Sequence, residues 1–286
     1  MNKLLFIVVL FIGMTSCREH TATNNTSAES NKLVYDRVTS IKVLKAAYLN
    51  YPPACMKDTK TGAMSGIFVD VLTKACENLG IKLEWSEEVG WASQIEGLNA
   101  NRYDIVGSPV WANVVRGTKT TLSTPLYYSG IGVYVRNNDT RFDKDLTKIN
   151  SPEVKVGTID GETSAIIADQ DYPKAQKYSS TQQTDISQKF LDLVSNKCDV
   201  VFAEPYYGYE YLKNNPGTIK NIAAENPIRL FGNCYMFKMN EFQMKQMLDI
   251  SIQDLINSGY VEKMMQKYEP SPNLFYRTAL PYKSLK

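Results

Sequence analysis

The chain has 286 residues, of which 43% are hydrophobic and 22% are charged, a composition typical of a globular protein. Its formal net charge of +2 is close to balance, which argues against the broad basic surface of a nucleic-acid-binding protein. The single histidine, His20, lies near the N-terminus, so Ser-His-Asp catalysis, Cys-His catalysis and histidine-ligated zinc are excluded from the body of the chain. We expect neither a metal ion nor a cofactor.

Residues 1–16 have the pattern of an export signal. Lys3 supplies a positive start, and the apolar run "LLFIVVLFIGM" leads into the small residues of "TSC". The run is too short to span a bilayer, because a spanning helix needs about 20 apolar residues. "MTSC" resembles a bacterial lipobox, which predicts a lipid on Cys17 and an exported, membrane-anchored protein in the periplasm or at the cell surface. An ordinary secretory signal with an incidental cysteine is the alternative.

The polar residues that follow, 17–40, are predicted to form a flexible tether, because they are rich in Asn, Ser and Thr and offer little to a core. Four further cysteines lie in the body of the chain, at Cys55, Cys76, Cys198 and Cys234. Their wide spacing contains no CxxC pair and therefore argues against a metal site. Export would permit disulfides between them, and four buried free thiols are the alternative.

From Ile41 the chain alternates short apolar strands with amphipathic helices. The predicted order is strand "IKVLKAAY", helix "GIFVDVLTKACENLG", strand "IKLEW", helix "WASQIEGLNANR" and strand "YDIVGSP". The first helix carries its apolar residues on one stripe, namely Phe68, Val71, Leu72, Ala75 and Leu79. This βαβαβ order is typical of an open α/β sheet, whose ligands bind at the carboxyl ends of the strands.

The α/β pattern then starts again after the long strand "GIGVYVRNN". The second set is "VKVGTIDG", helix "DISQKFLDLVSN", strand "DVVFA" and helix "PYYGYEYLKN", followed by strand "CYMFKM" and helix "EFQMKQMLDISIQDLINSG". The predicted apolar stripes are Ile186, Phe190, Leu191 and Val194 in the first of these helices and Met244, Leu248, Ile252 and Leu255 in the last. The tyrosines of "PYYGYEYLKN" spread around their helix, so most of them are expected to pack.

Two α/β units joined by two extended stretches predict two lobes with a cleft between them. We assign residues 41–131 and 233–268 to lobe 1, 132–232 to lobe 2, and 269–286 to a C-terminal tail. The aromatic residues of this tail leave two alternatives open, packing along lobe 1 or contact with a partner.

Seven motifs fall in order between Ile41 and Tyr268. They are "YPPA", "SGIFVDV", "NRYDIVGSP", Arg116 followed by "TPLYYSG", "VGTIDGETS", "CDVVFAEP" and "NSGYVEKMMQKY". In these motifs the chain resembles the family 3 extracellular solute-binding proteins of ABC transporters, of the amino-acid-binding type. The resemblance implies a two-lobed type II periplasmic-binding fold, with two interlobe crossings and a ligand cleft. Two departures are Phe68, where an acidic residue is usual, and the lengthened loop "VWANVV" before Arg116.

The resemblance implies that two charged residues hold the ligand. Arg116 would bind its α-carboxylate, and a guanidinium is suited to this because it can donate two parallel hydrogen bonds and stays charged. Glu204, from the opposite lobe, would hold its amino group. A solvated surface arginine and an ordinary helix-initiating acid are the alternatives.

Further ligand contacts are expected around this pair. Thr163 and Ser164 open a helix whose N-terminal N–H groups favour an anion, although a plain helix cap is the alternative. Tyr51 and Trp91 match family positions that sandwich a ligand side chain, and Trp111 lies in the lengthened loop. Core packing competes with a ligand role for all three aromatic residues. Ser108 is a candidate for one more hydroxyl contact.

These features predict a binding protein and not an enzyme. We expect a monomeric, lipid-anchored receptor that delivers a small amino-acid-like solute to the permease of an ABC importer. Two alternatives stay open. Some proteins of this fold are dehydratases acting on prephenate or arogenate, and Glu204 could serve as their acid if burial raised its pKa. The chain could also be a ligand-sensing module for a separate signalling partner.

Overall fold

The fold is described by a computed structural model that covers residues 33–272 and 274–278. The predicted export signal, Cys17 and most of the predicted tether lie outside these residues. Within the described residues, none of the helices combines the length and the apolar character needed to cross a membrane.

Strands and short helices alternate along the described chain. The strands are β1 (Val43–Tyr48), β2 (Met56–Lys57), β3 (Met64–Ser65), β4 (Lys82–Glu88), β5 (Ile105–Trp111), β6 (Thr120–Leu122), β7 (Tyr127–Arg136), β8 (Lys155–Ile159), β9 (Gln176–Ser180), β10 (Val200–Ala203), β11 (Ile219–Asn221), β12 (Arg229–Lys238) and β13 (Tyr276–Arg277). The helices are α1 (Val34–Ile41), α2 (Ile67–Asn78), α3 (Gln94–Asn99), α4 (Val114–Gly117), α5 (Thr163–Asp171), α6 (Ser187–Val194), α7 (Pro205–Asn214), α8 (Phe242–Asn257) and α9 (Tyr260–Tyr268), with a 3-10 helix at Leu146–Ile149.

One continuous sheet runs through both α/β units in the order β4-β1-β5-β12-β7-β10-β8-β9. At one end β1 pairs parallel with β4 and β5, and at the other end β8 pairs parallel with β9 and β10. The antiparallel strands β12 and β7 lie between these two parallel sets. This arrangement confirms the predicted α/β fold built from two similar units.

Strands β7 and β12 are the two crossings between the lobes. The first half of β7, residues 127–131, pairs antiparallel with residues 229–233 of β12. The second half pairs with β10 and β11 of the other lobe. Because strand β7 pairs with strands of both lobes, the lobes are joined by regular β-structure. The two-lobed fold with two crossings is thus confirmed, while the assigned lobe boundaries stay a prediction.

Helix α1 occupies residues that the sequence reading gave to the polar tether. Val38 on this helix is fully buried, and Val34 donates a backbone hydrogen bond of 2.9 Å to the carboxylate of Glu241. Val34, Val38 and Ile41 recur at helical spacing, but the hydrophilic residues around them hid the pattern. The helix packs against α8 and β1, so the folded domain begins before residue 41.

The residues that α6 and α8 bury in the core agree with the predicted apolar stripes, with one error in α6. In α8 the buried residues include Met244, Leu248, Ile252 and Leu255, as predicted. In α6 the predicted stripe included Leu191, but this residue is 47% exposed and Leu193 is buried instead. The four cysteines within the described residues are buried free thiols, which answers the question left open by the sequence.

Candidate functional site

Arg116 and the predicted aromatic residues meet between the lobes. The narrow interlobe space between them is too small for a water-sized molecule, and residues from both lobes line it: Tyr51, Trp91, Pro109, Trp111, Arg116, Glu162 and Thr163. Tyr51 follows β1, Trp111 ends β5 and Thr163 begins α5 shortly after β8. The site therefore lies at the carboxyl ends of parallel strands, where the α/β topology predicts ligand binding.

Arg116 reaches from lobe 1 into lobe 2. Asn113 begins the helical turn α4, and its side chain accepts a hydrogen bond of 3.0 Å from the backbone N–H of Arg116. The buried guanidinium donates to the carbonyl of Trp111 at 3.2 Å, and across the cleft to Thr163 Oγ1 at 3.3 Å and the carbonyl of Gly161 at 3.4 Å. Burial lowers the pKa of Arg116 to about 10, so it remains a cation at neutral pH.

The two lobes are in direct contact around this site. The backbone N–H of Trp91 donates to the carbonyl of Gln182 at 3.3 Å, and that of Ala92 donates to Gln182 Oε1 at 3.1 Å. Gly161 approaches so closely that an added Cβ would lie 2.7 Å from the backbone nitrogen of Ala92. The structure thus has the closed arrangement of the lobes.

Glu204 is a buried carboxylate without a hydrogen-bond partner. The residue directly follows β10 and is 1% exposed, and neither carboxylate oxygen has a hydrogen-bond partner among the described residues. Burial raises the pKa of Glu204 from 4.5 to about 7; Ser129, Tyr51 and Trp111 lie near enough to oppose the rise, without completing hydrogen bonds of normal geometry. An unpaired buried carboxylate is unfavourable, so Glu204 is suited to receive a cation.

Aromatic rings form the wall beside Glu204. Tyr51 contacts Trp91 edge to face at a ring-centroid distance of 5.4 Å, and it contacts Tyr207 of α7 at 5.1 Å. The hydroxyls of Tyr127 and Tyr207 are buried and have no hydrogen-bond partner among the described residues. Sequence reasoning assigned most of the tyrosines of α7 to packing, and the contact between Tyr207 and Tyr51 across the cleft was missed.

Trp111 serves the core and the site together. Its ring stacks on Phe231 of β12 with a centroid distance of 5.3 Å, and its Nε1 donates to Asn233 Oδ1 at 2.8 Å. The same residue lines the interlobe space next to Arg116. The two interpretations that the sequence left open are therefore compatible.

Two predicted contact residues use their hydroxyls inside the protein. Ser108 Oγ accepts from the backbone N–H of Leu49 at 2.7 Å and donates to its carbonyl at 2.9 Å, which ties β5 to the segment after β1. Ser164 Oγ donates to the carboxylate of Glu162 and accepts from Lys189 Nζ at 3.3 Å. Neither serine lines the interlobe space.

Glu162 and Lys189 were missed by sequence reasoning. Glu162 precedes α5, accepts from the backbone N–H of Ser164 at 3.1 Å, and pairs with Lys189 Nζ at 3.0 Å. The N-cap position in "GETS" was a usable signal for Glu162. Lys189 carried none, because a lysine in an amphipathic helix normally faces solvent.

Comparison with known proteins points to one family. The sequence model of the bacterial extracellular solute-binding proteins, family 3, matches residues 44–271. A protein of Haemophilus influenzae named "Probable amino-acid ABC transporter-binding protein" is 31% identical over 140 residues, which are 49% of this chain and 51% of that protein. The matched part thus spans about half the length of that relative.

Two other similarities extend over most of the chain. The L-cystine-binding protein of Bacillus subtilis is 22% identical over 275 residues, covering 92% of this chain and 95% of that protein. Among solved structures, an ancestral amino acid-binding protein described as a precursor of cyclohexadienyl dehydratase superposes with a TM-score of 0.70. It is 21% identical, and the match covers 83% of this chain and 99% of that one, a likeness that shows the shared fold.

Proposed function

Because the chain belongs to the bacterial extracellular solute-binding proteins of family 3, we propose that it captures a small zwitterionic amino acid between its lobes for an ABC importer. Arg116 binds the α-carboxylate of the solute and Glu204 binds its ammonium group. The solute leaves the site unchanged, and its release to a permease is the step that import requires.

The unpartnered carboxylate of Glu204 is the observation that carries this proposal. Tyr51 and Trp111 line the interlobe space with Arg116 and also lie beside Glu204, which supports a solute position between the two charges. An ammonium group would satisfy the buried carboxylate, and a carboxylate would satisfy the guanidinium. A ligand that joins groups from two lobes favours the closed state, because only that state offers both contacts.

The relatives guide the choice of solutes. One bears the name of an amino-acid ABC transporter-binding protein and another that of an L-cystine-binding protein. Both names agree with a ligand that carries an amino group and a carboxylate. The dehydratase alternative receives no comparable support, since the structure related to it by name is 21% identical and indicates the fold alone.

A thermal-shift screen tests the proposal. The purified protein is mixed in turn with L-cystine, L-cysteine, L-lysine, L-arginine and L-glutamine. Acetate and ethylamine serve as controls, because each carries only one of the two charged groups of an amino acid. An amino acid present at 100 times its Kd stabilises the folded protein by about 2.7 kcal/mol. The melting temperature of the protein therefore rises. Each hit is then followed over time for turnover. Equal shifts with acetate or ethylamine would contradict the charge pair, and conversion of a hit would indicate an enzyme.

The anchor is a separate proposal that rests on the "MTSC" motif. We place the protein outside the cytoplasm, held at a membrane by a lipid on Cys17, as a monomer. Cys17→Ser should abolish incorporation of an alkyne-tagged fatty acid and move the protein from the membrane fraction to the soluble fraction. Unchanged fractionation and labelling would contradict lipidation at this residue.

A further inference from the structure

Lys189 is a lysine inside the protein. It lies on α6 and is 2% exposed, a degree of burial that lysine almost never shows unless it is paired. Its Nζ donates to Glu162 Oε2 at 3.0 Å, to Ser164 Oγ at 3.3 Å and to the carbonyl oxygen of Phe202 at 2.9 Å. These three bonds use all the donors of an ammonium group.

The three partners belong to the two segments that form lobe 2's side of the site. Glu162 and Ser164 flank Thr163, whose hydroxyl accepts from Arg116. Phe202 lies in β10, two residues before Glu204. A single ammonium group therefore connects the start of α5 with the end of β10. Its position fixes Thr163 relative to Glu204, although Lys189 does not line the interlobe space itself.

The charge of Lys189 matters for Arg116. The carboxylate of Glu162 lines the same space as Arg116, and its negative charge acts on the guanidinium. With Lys189 in place, Glu162 is already paired. Without Lys189, Glu162 would be an uncompensated buried anion, a costly state that a nearby cation relieves. Arg116 is such a cation, and pairing with Glu162 would occupy the donors that a ligand carboxylate needs.

We propose that Lys189 is a positioning residue of the ligand site, which neutralises Glu162 so that Arg116 remains available to a ligand carboxylate. It also holds the start of α5 against the end of β10. The effect of Lys189 on ligand binding rests on the proposed function. The effect on Arg116 itself is a property of the ligand-free protein and is measured without any solute.

The primary experiment observes the side chain of Arg116 in ligand-free protein. Protein labelled with ¹⁵N-arginine gives an Nε–Hε signal for Arg116, assigned by its loss in Arg116→Lys. We expect this signal to move in Lys189→Met, because Glu162 turns to Arg116. It should return to the wild-type position in Lys189→Met/Glu162→Gln, where no charge is left unpaired, and in the charge-conserving Lys189→Arg. Melting temperatures are recorded beside the spectra.

A lysine that serves stability alone would give a different result. The melting temperature of Lys189→Met would fall while the Arg116 signal stayed in place, and that outcome overturns the proposal. A signal that remains displaced in the double variant also overturns it. If Lys189→Met does not fold, Lys189→Gln takes its place, because the amide still donates hydrogen bonds but carries no charge.

A second arm measures calorimetric binding of L-lysine and L-cystine. For a solute that the wild type binds, we expect Lys189→Met to weaken binding by about tenfold or more, and the double variant to recover to within about threefold. Loss without recovery in the double variant contradicts the charge role. If neither solute binds the wild type, the proposed amino-acid function loses support, whereas the Arg116 spectra still decide the role of Lys189.

Discussion

At the scale of single residues, burial of Glu204 predicts a stability that depends on pH. Its pKa is raised from 4.5 to about 7, chiefly by burial, so between these values the folded protein binds more protons than the unfolded chain. Stability contributed by this group is full below pH 4.5 and is lost as the pH rises through 7. The rise corresponds to at most about 3 kcal/mol.

The variant Glu204→Gln should remove this pH dependence. We expect ligand-free Glu204→Gln to be more stable than the wild type at pH 8, by up to about 3 kcal/mol, because the amide needs no proton to stay neutral. The difference should vanish near pH 4. Urea unfolding from pH 4 to pH 8 measures it, with the exposed Glu225→Gln as the control. A difference that is constant over this range would contradict the prediction.

Arg116 should dominate binding of the ligand carboxylate. We expect Arg116→Ala to weaken binding of the amino acid found in the thermal-shift screen by about 2–5 kcal/mol, since a buried carboxylate loses its partner. This corresponds to a rise in Kd of about 30-fold to several thousand-fold. Titration calorimetry checks it against Lys119→Ala, which removes an exposed cation three residues away. A loss below about threefold, with the fold intact, would remove Arg116 from the site.

At the scale of elements, the C-terminal segment is part of the fold. Strand β13 pairs with the first residues of β7, where that strand leaves lobe 1. Phe275 is 2% exposed, and its ring lies 4.8 Å from that of Tyr127 and 6.2 Å from that of Tyr206, a residue of α7. Arg277 secures the segment through Glu262 and Glu269 of the preceding helical region. The sequence left open whether this tail packs along lobe 1 or contacts a partner. The described part of the tail packs against β7.

Removing the Phe275 ring should therefore destabilise the whole domain. We expect Phe275→Ala to lower the free energy of unfolding by about 3–5 kcal/mol, as for other buried phenylalanines, measured by urea denaturation. Tyr276→Ala is the matched control, because the neighbouring ring is 44% exposed and should contribute much less. Equal losses in the two variants would show that Phe275 is not part of the core.

The elements also show why part of the structure was predictable and part was not. The buried stripe of Met244, Leu248 and Ile252 was predictable, because apolar residues at helical spacing share one face of the helix and that face packs against the core. Lys189 was not, because its burial depends on Glu162, which lies 27 residues away in sequence. The positions of Arg116 and Glu204 came from the family resemblance. That Glu204 has no partner follows only from the packing of several distant segments around it.

At the scale of the whole molecule, the closed arrangement depends on a close approach of two backbones. Gly161 of lobe 2 has φ +78° and faces lobe 1, where an added Cβ would lie 2.7 Å from the nitrogen and 2.8 Å from the Cα of Ala92. Backbone atoms cannot turn aside as a flexible side chain can. A side chain at position 161 therefore opposes closure itself, in addition to the local strain of a positive φ.

Gly161→Ala should shift the protein towards an open arrangement. Gly217→Ala is its matched control, because Gly217 also has a positive φ, of +72°, but has no atom within 4 Å of an added Cβ. Both variants carry a backbone strain of about 1 kcal/mol, so they should lose similar stability. Only Gly161→Ala should lengthen the distance between spin labels placed on Lys60→Cys and Lys144→Cys, one in each predicted lobe, and only Gly161→Ala should weaken amino-acid binding. Identical distance distributions for the two variants would mean that contact at Gly161 does not limit closure.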